Sequence, residues 1–200
     1  MWTMTWTEVA GFITTALCVW LVVRRNIWNF PIGIASNIFF WVLFIRAGLY
    51  ADAWLQVVFL LLGVGGWWMW LHGGVNRTAL VVRRTPAWGW AAIAGFVGVA
   101  TWVIYTLLTA HTDSTVPVAD AFTTALSLGA QIMLNRKWIG NWALWMVADV
   151  LYIWLYWIKD LHLTSVLYVG LLTMCVIGRR QWATALRRPE PAPVAEAVPA

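Results

Sequence analysis

Charge is what this chain has least of. Only 10% of its 200 residues are charged, 62% are hydrophobic, and mean hydropathy is +0.74. So few charges cannot cover a soluble surface, which leaves the polytopic membrane class. Cysteine is scarce as well: Cys18 and Cys175 both sit inside apolar stretches, where a thiol packs as a small hydrophobe, so neither a disulfide nor a metal site is expected. His72, His111 and His162 fall at the ends of apolar stretches without ligand spacing. The phosphate-loop pattern G-x-x-x-x-G-K-[ST] is missing, which excludes ATP hydrolysis within this chain as a drive. No Ser or Cys has a His/Asp arrangement beside it that suggests a hydrolase, so neither enzymatic activity nor a cofactor is expected. The alternation of a membrane β-barrel is missing too, and helices are the expectation.

What the chain has is long apolar runs. A hydrocarbon core about 30 Å thick needs roughly 20 helical residues, or about 17 at the least. Seven stretches come near this, at 9–23, 30–45, 53–71, 88–108, 116–134, 142–158 and 163–177, several of them completed by flanking Trp, Tyr and Thr suited to the headgroup layer. The first is followed, not preceded, by positive charge at Arg24-Arg25 and lacks a small-residue cleavage pattern, so it reads as a retained helix. Seven spans put Arg24, Arg25, Arg77, Arg83, Arg84, Arg136, Lys137, Arg179, Arg180, Arg187 and Arg188 on one side, and Arg46 and Lys159 on the other. Positive charge is retained in the cytoplasm, so the expectation is a multi-pass protein of the cell's inner membrane with its N-terminus outside and its C-terminus inside. The net charge of +5 then reflects topology, and no nucleic-acid partner is expected.

The second half of the chain repeats the first. An offset of 112 residues superposes Asn29 on Asn141, Leu43 on Leu155, Gly66 on Gly178, Trp70 on Trp182 and Arg24-Arg25 on Arg136-Lys137. In mid-segment it superposes Asn37 on Asp149. The expected fold is an all-α membrane protein of seven transmembrane helices in a 3+1+3 parallel-repeat, SWEET-like arrangement, in which an odd linker helix gives both repeats the same orientation. The expected divisions are a first repeat over 1–71, a basic loop and linker helix over 72–115, and a second repeat over 116–182. Residues 183–200, rich in Pro, Ala and Glu, read as a disordered cytoplasmic tail, and residues 111–117 as a short external loop turning at Asp113.

Two similar halves in one bilayer protein suggest a transporter with its substrate between them. The sixth stretch carries Trp142, Trp145, Tyr152 and Tyr156 at minus seven, minus four, plus three and plus seven from Asp149, on one helical face. An ionised Asp at bilayer depth costs about 2.5 to 3.5 kcal/mol on insertion scales, so it should face the interior or a wet cavity. A cationic ligand would offset part of that cost, and aromatic faces would add about 0.5 to 2 kcal/mol. The alternative is a protonated Asp, or one tied to neighbouring hydroxyls, that holds helices together. The fifth stretch adds Asp120, Thr124, Ser127 and Gln131. For Thr124 and Ser127 bonding to their own backbone is an equal alternative, whereas the amide of Gln131 must satisfy both donors and acceptors. The first repeat matches this with Asn37, Trp41 on the same face, and Gln56, which aligns with Tyr168. Val19 stands where the second repeat has Gln131, so the pocket should be asymmetric.

Several motifs resemble the PnuC family of nicotinamide riboside transporters: Trp28-Asn29-Phe30-Pro31-Ile32-Gly33-Ile34, Leu49-Tyr50-Ala51-Asp52-Ala53 with Leu55-Gln56, and Gly66 with Trp67 and Trp70. The resemblance continues through Asp120-Ala121-Phe122-Thr123-Thr124-Ala125-Leu126-Ser127, Gln131, Trp142-x-x-Trp145, Asp149, Leu167-Tyr168 and Gly178. It implies a seven-helix facilitator for nicotinamide riboside working by alternating access, with the imported riboside trapped by a cytoplasmic kinase, and a homotrimer in the lipid bilayer. Relatives in the same superfamily carry thiamine or riboflavin. Proton-coupled uptake through Asp149 and a non-transporting membrane scaffold are the rival readings.

Overall fold

The computed structural model describes residues 6–46, 50–112, 116–158 and 162–187. Seven α-helices make up nearly all of it: α1 (Trp6–Val23), α2 (Asn29–Arg46), α3 (Tyr50–His72), α4 (Ala87–His111), α5 (Pro117–Asn135), α6 (Asn141–Ile158) and α7 (His162–Arg187). α7 carries on past the Trp182 boundary expected from sequence, so residues 183–187 are helical where a disordered tail was expected. Apolar Trp182, Ala183, Ala185 and Leu186 simply continue the helical run until the prolines begin. The rest of the tail, Arg188, Lys159, Asp113 and residues 47–49 lie outside the described residues.

Among the described residues, Asn29–Arg46, Ala53–His72 and Ala87–His111 are long and apolar enough to cross a membrane by length and composition. α5 falls short because of its polar stripe, and it is the helix most enclosed by protein, with contacts to α3, α4 and α6. Helix neighbours run α1 to α2, α2 to α3, α3 to α5, α5 to α6, α6 to α7 and α7 back to α1, a closed ring of six with α4 against α5. Large side chains such as Trp54, Trp68 and Trp154 on this ring and Trp102 on α4 are exposed, as lipid-facing residues are.

The turns that close the helices at the basic end are built alike. α1 stops because Arg25 adopts φ 57°, with Asn26 N–H donating to Leu21 O (2.8 Å) and Arg25 N–H to Val22 O (2.9 Å). α5 stops because Lys137 adopts φ 49°, with Trp138 N–H donating to Met133 O (3.0 Å) and Lys137 N–H to Leu134 O (2.8 Å). Each is a Schellman motif whose left-handed residue is a cation instead of glycine. Asn29 and Asn141 then open the next helices, each side-chain amide donating to a carbonyl three residues back, Asn26 O and Trp138 O, at 2.7 Å.

A buried aromatic core fills this end, formed by Val22, Val23, Phe30, Trp70, Leu80, Leu134, Trp142, Cys175 and Trp182. The loop after α3 lies across it: Leu80 N–H donates to Trp70 O (3.0 Å), Arg83 N–H to Lys137 O (2.9 Å) and Ile139 N–H to Arg83 O (3.0 Å). The ends of α3 and α5 and the basic loop are therefore one packed unit.

Candidate functional site

The expected site residues fall into three neighbourhoods. Asn37, Trp41 and Gln56 come together around an open cavity of about 260 Å³ between α2 and α3, lined also by Ile38, Val57 and Leu60. That is slightly under the roughly 300–1,000 Å³ usual for small-molecule pockets. The sequence spacing alone does not pair Asn37 with Gln56; the packing of α2 on α3 does.

Asp149 occupies the second neighbourhood. Its carboxylate is 4% exposed in mid-α6, and Cys175 of α7 donates its S–H to Oδ2 at 3.3 Å. A thiol is a weak donor, and among the described residues this is the hydrogen bond Asp149 makes. Cys175 is thus more than the apolar filler that its sequence context suggests; a lone Cys in a hydrophobic run carries no signal of such a role. Trp145 packs against both the aromatic core and a second core of Ile93, Val97, Ala125, Met133 and Ala148, which puts its ring between the two.

The third neighbourhood is tyrosine. Tyr152, Tyr156 and Tyr168 stack mutually, with centroids 5.9, 4.9 and 5.3 Å apart for 152–156, 152–168 and 156–168. Thr123 and Ser127 of α5 neighbour the Tyr152 phenol. Ser127 donates its own proton to Thr123 O (2.9 Å), and Thr123 donates to Ala119 O (2.8 Å), which leaves the Ser127 oxygen as an acceptor. Thr124 is half-buried on the same helix.

Gln131 donates Nε2–H to Asn135 Oδ1 (3.0 Å), and Asn135 donates Nδ2–H to Leu62 O of α3 (2.7 Å). Asn135 continues the polar stripe Thr124, Ser127, Gln131 one turn further, a signal legible in the helical spacing. Trp142 is 1% exposed and sits edge-on against Trp182 (5.5 Å, 89°) in the aromatic core. Its helical face is the one expected, and it does not line the cavity between α2 and α3. A second cavity of about 190 Å³ at the basic end is lined by Arg84, Thr85, Trp90, Ile139, Gly140, Ala143 and Arg179, none of them a residue expected in the site.

A ring of apolar helices with a buried carboxylate, amides and aromatic faces on its members is the arrangement of a multi-pass membrane protein, and the relatives of the chain are membrane transporters. The family model described as nicotinamide mononucleotide transporter matches residues 5–184, and the chain belongs to that family. It is 25% identical to the nicotinamide riboside transporter PnuC of Escherichia coli (strain K12), over 92% of this chain and 87% of that protein. It is 25% identical to the riboflavin/roseoflavin transporter RibM of Streptomyces davaonensis, over 98% of this chain and 92% of that one. A crystal structure of the vitamin B3 transporter PnuC has the same fold, with a TM-score of 0.70, 25% identity, and coverage of 92% of this chain and 83% of that one.

Proposed function

We propose that this protein imports nicotinamide riboside by alternating access. The observation that carries the reading is the buried Asp149 carboxylate, which has a thiol as its hydrogen-bond donor. An uncompensated anion at that depth is costly, and a ligand with a cationic pyridinium ring supplies the missing charge. The rings of Trp145, Tyr152 and Tyr168 would hold the flat cation, while Asn37, Gln56, Thr124, Ser127 and Gln131 would meet its amide and hydroxyls, with Trp41 at the edge; Trp142, packed against Trp182, would back the site from within the aromatic core. The name of the Escherichia coli relative supports the same substrate.

The architecture in this reading is 3+1+3, with α1–α3 and α5–α7 as parallel repeats and α4 as the linker. The helix neighbours favour it: exchanging α1 with α5, α2 with α6 and α3 with α7 turns every contact within the ring into another contact of the ring. Transport proceeds by rocking the repeats about their shared seam. The basic end faces the cytoplasm of the cell's inner membrane, and a cytoplasmic kinase keeps free riboside low, so downhill flow needs no coupled ion. The assembly is a homotrimer in the bilayer.

Titration calorimetry of the purified protein with nicotinamide riboside, riboflavin and thiamine tests the substrate, with Asp149→Asn and Trp145→Ala alongside. Selective riboside binding weakened in both variants is expected. The RibM relative makes riboflavin the second reading; preference for riboflavin would keep the architecture and change the cargo, and no binding by any ligand would point to a scaffold. Uptake into ATP-free vesicles that stops when an uncoupler is added would replace the uniport mechanism by proton coupling.

A further inference from the structure

We infer that Asn135 is a positioning residue that fixes the polarity of the Gln131 amide, so that Gln131 offers its carbonyl oxygen to a hydrogen-bond donor on the ligand. The inference rests on the substrate site proposed above and assigns one of its specificity elements.

The polarity follows from a group that has no choice. The Leu62 carbonyl of α3 can only accept, so the Asn135 atom 2.7 Å from it must be the amide nitrogen. Asn135 then has only its oxygen to turn toward α5, and the Gln131 atom 3.0 Å from that oxygen must be a nitrogen. What Gln131 has left as its distinctive group is Oε1, an acceptor. Among the described residues the bond to Asn135 is the one its side chain makes, and the residue is half-buried on the most enclosed helix of the bundle.

Close approach makes the relay possible. A β-carbon at Gly66 would collide with Asn135 Oδ1 and stand 2.6 Å from its Cγ, so glycine there is what admits the Asn135 amide to the α3 backbone. The repeat supplies the control. The positions 112 residues earlier are Val19 and Val23, and there the turn, its left-handed residue and its bonds to the preceding helix are all kept without an amide at either position. The fold does not require Gln131 and Asn135; polarity has been added on one side of a repeated frame, between one helix of each half.

The ligand donor that Oε1 meets is either a carboxamide N–H or a ribose O–H. Binding of nicotinamide riboside, nicotinic acid riboside, which has a carboxylate for the carboxamide, and a 2′,3′-dideoxy riboside to the full-length protein distinguishes them. The wild type is expected to bind nicotinamide riboside best, with the disfavoured analogue naming the donor. Asn135→Val, which installs the residue of the equivalent position, frees the Gln131 amide to turn either way and should reduce that preference by about fivefold to tenfold, the weight of one hydrogen bond. Asn135→Asp in its protonated form carries the same donor and acceptor and should keep the preference. Adding Asn135→Val to Gln131→Val should change nothing further. A lower melting temperature in Asn135→Val with unchanged preference would make Asn135 a structural strut and overturn the inference. Loss of preference in Asn135→Asp would overturn it as well, and this variant decides the matter where the valine variant does not fold. Failure of the wild type to bind any riboside would instead sink the proposed function itself.

Discussion

Trp70 and Trp182 make the same bond from opposite halves of the molecule. The indole N–H of Trp70 donates to Leu134 O at 3.1 Å, and that of Trp182 donates to Val22 O at 3.1 Å. Donors and acceptors are each 112 residues apart, so each half ties its third helix to the first helix of the other. The two rings meet with centroids 6.2 Å apart. Phe30 stands edge-on to Trp70 at 5.0 Å, as Trp142 does to Trp182 at 5.5 Å. The seam between the halves is thus a self-complementary aromatic joint.

Truncating that joint should cost stability unequally on its two sides. Either Trp→Ala substitution empties a large buried volume, worth about 3 to 5 kcal/mol. Trp70→Ala also strips the ring 4.2 Å beneath Lys137 Nζ, a partner that Trp182 lacks among the described residues, so its melting temperature should be the lower. Trp→Phe at either position should cost only about 1 kcal/mol, because Val22 O and Leu134 O each keep a backbone donor. Thermal unfolding in detergent, followed by size exclusion, ranks the four variants; equal losses for both alanines would contradict the unequal joint.

Glycine matters where the joint is tightest. A β-carbon at Gly178 would stand 2.5 Å from Trp142 Cζ2, and one at Gly66 would stand 2.6 Å from Phe30 Cε1, the equivalent ring. At Gly170 it would meet nothing within 4 Å. Gly66→Ala and Gly178→Ala are therefore expected to destabilise by about 1 to 3 kcal/mol through overpacking. Gly170→Ala should stabilise by up to about 1 kcal/mol through helix propensity. The same melting assay separates these outcomes by sign.

Much of this was legible in the sequence, because an offset repeat registers identical side chains doing identical tasks. Asn29 and Asn141, Gly66 and Gly178, and Trp70 and Trp182 are alike in residue and in role. What was not legible is contact between helices with no spacing in common. Cys175 meets Asp149 across α6 and α7, and Asn37 and Gln56 line one cavity from α2 and α3. Helical periodicity gives the face of one helix but not which neighbour covers it. That is why Trp142, on the same face as Asp149, lies in the aromatic core: the ring of Trp182 and the bare backbone of Gly178 close over it.

Cys175 offers a way to test what the Asp149 carboxylate needs. Cys175→Ser keeps a donor at the Sγ position and should leave stability within about 1 kcal/mol. Cys175→Val removes it, leaving a buried carboxylate without its donor, and should destabilise the ligand-free protein by about 1 to 3 kcal/mol. If a cationic ligand supplies the missing partner, saturating nicotinamide riboside should recover more stability in Cys175→Val than in wild type. The check is the ligand-induced shift in melting temperature, and an equal shift in both proteins would show that the ligand does not compensate Asp149.

Lys137 joins the loop, the joint and the membrane orientation in one side chain. It is 9% exposed, donates from Nζ to Leu80 O at 2.5 Å, and stands over the Trp70 ring. The loop it holds carries Arg77, Arg83 and Arg84, all exposed and all cleavable by trypsin. Lys137→Met keeps the apolar stem but removes both interactions. A charge-assisted hydrogen bond contributes about 1.5 to 3 kcal/mol and a desolvated cation–π contact about 2 kcal/mol. Without them local opening of the loop becomes more frequent, since proteolysis follows the population of the open form when opening is fast. Trypsin is therefore expected to cut within 77–84 at least about tenfold faster in the variant. With the basic end in the cytoplasm, that cleavage should occur in inside-out vesicles and not in right-side-out ones. Cleavage confined to right-side-out vesicles would reverse the proposed orientation, and an unchanged rate in inside-out vesicles would mean that Leu80 and its backbone bonds hold the loop without Lys137.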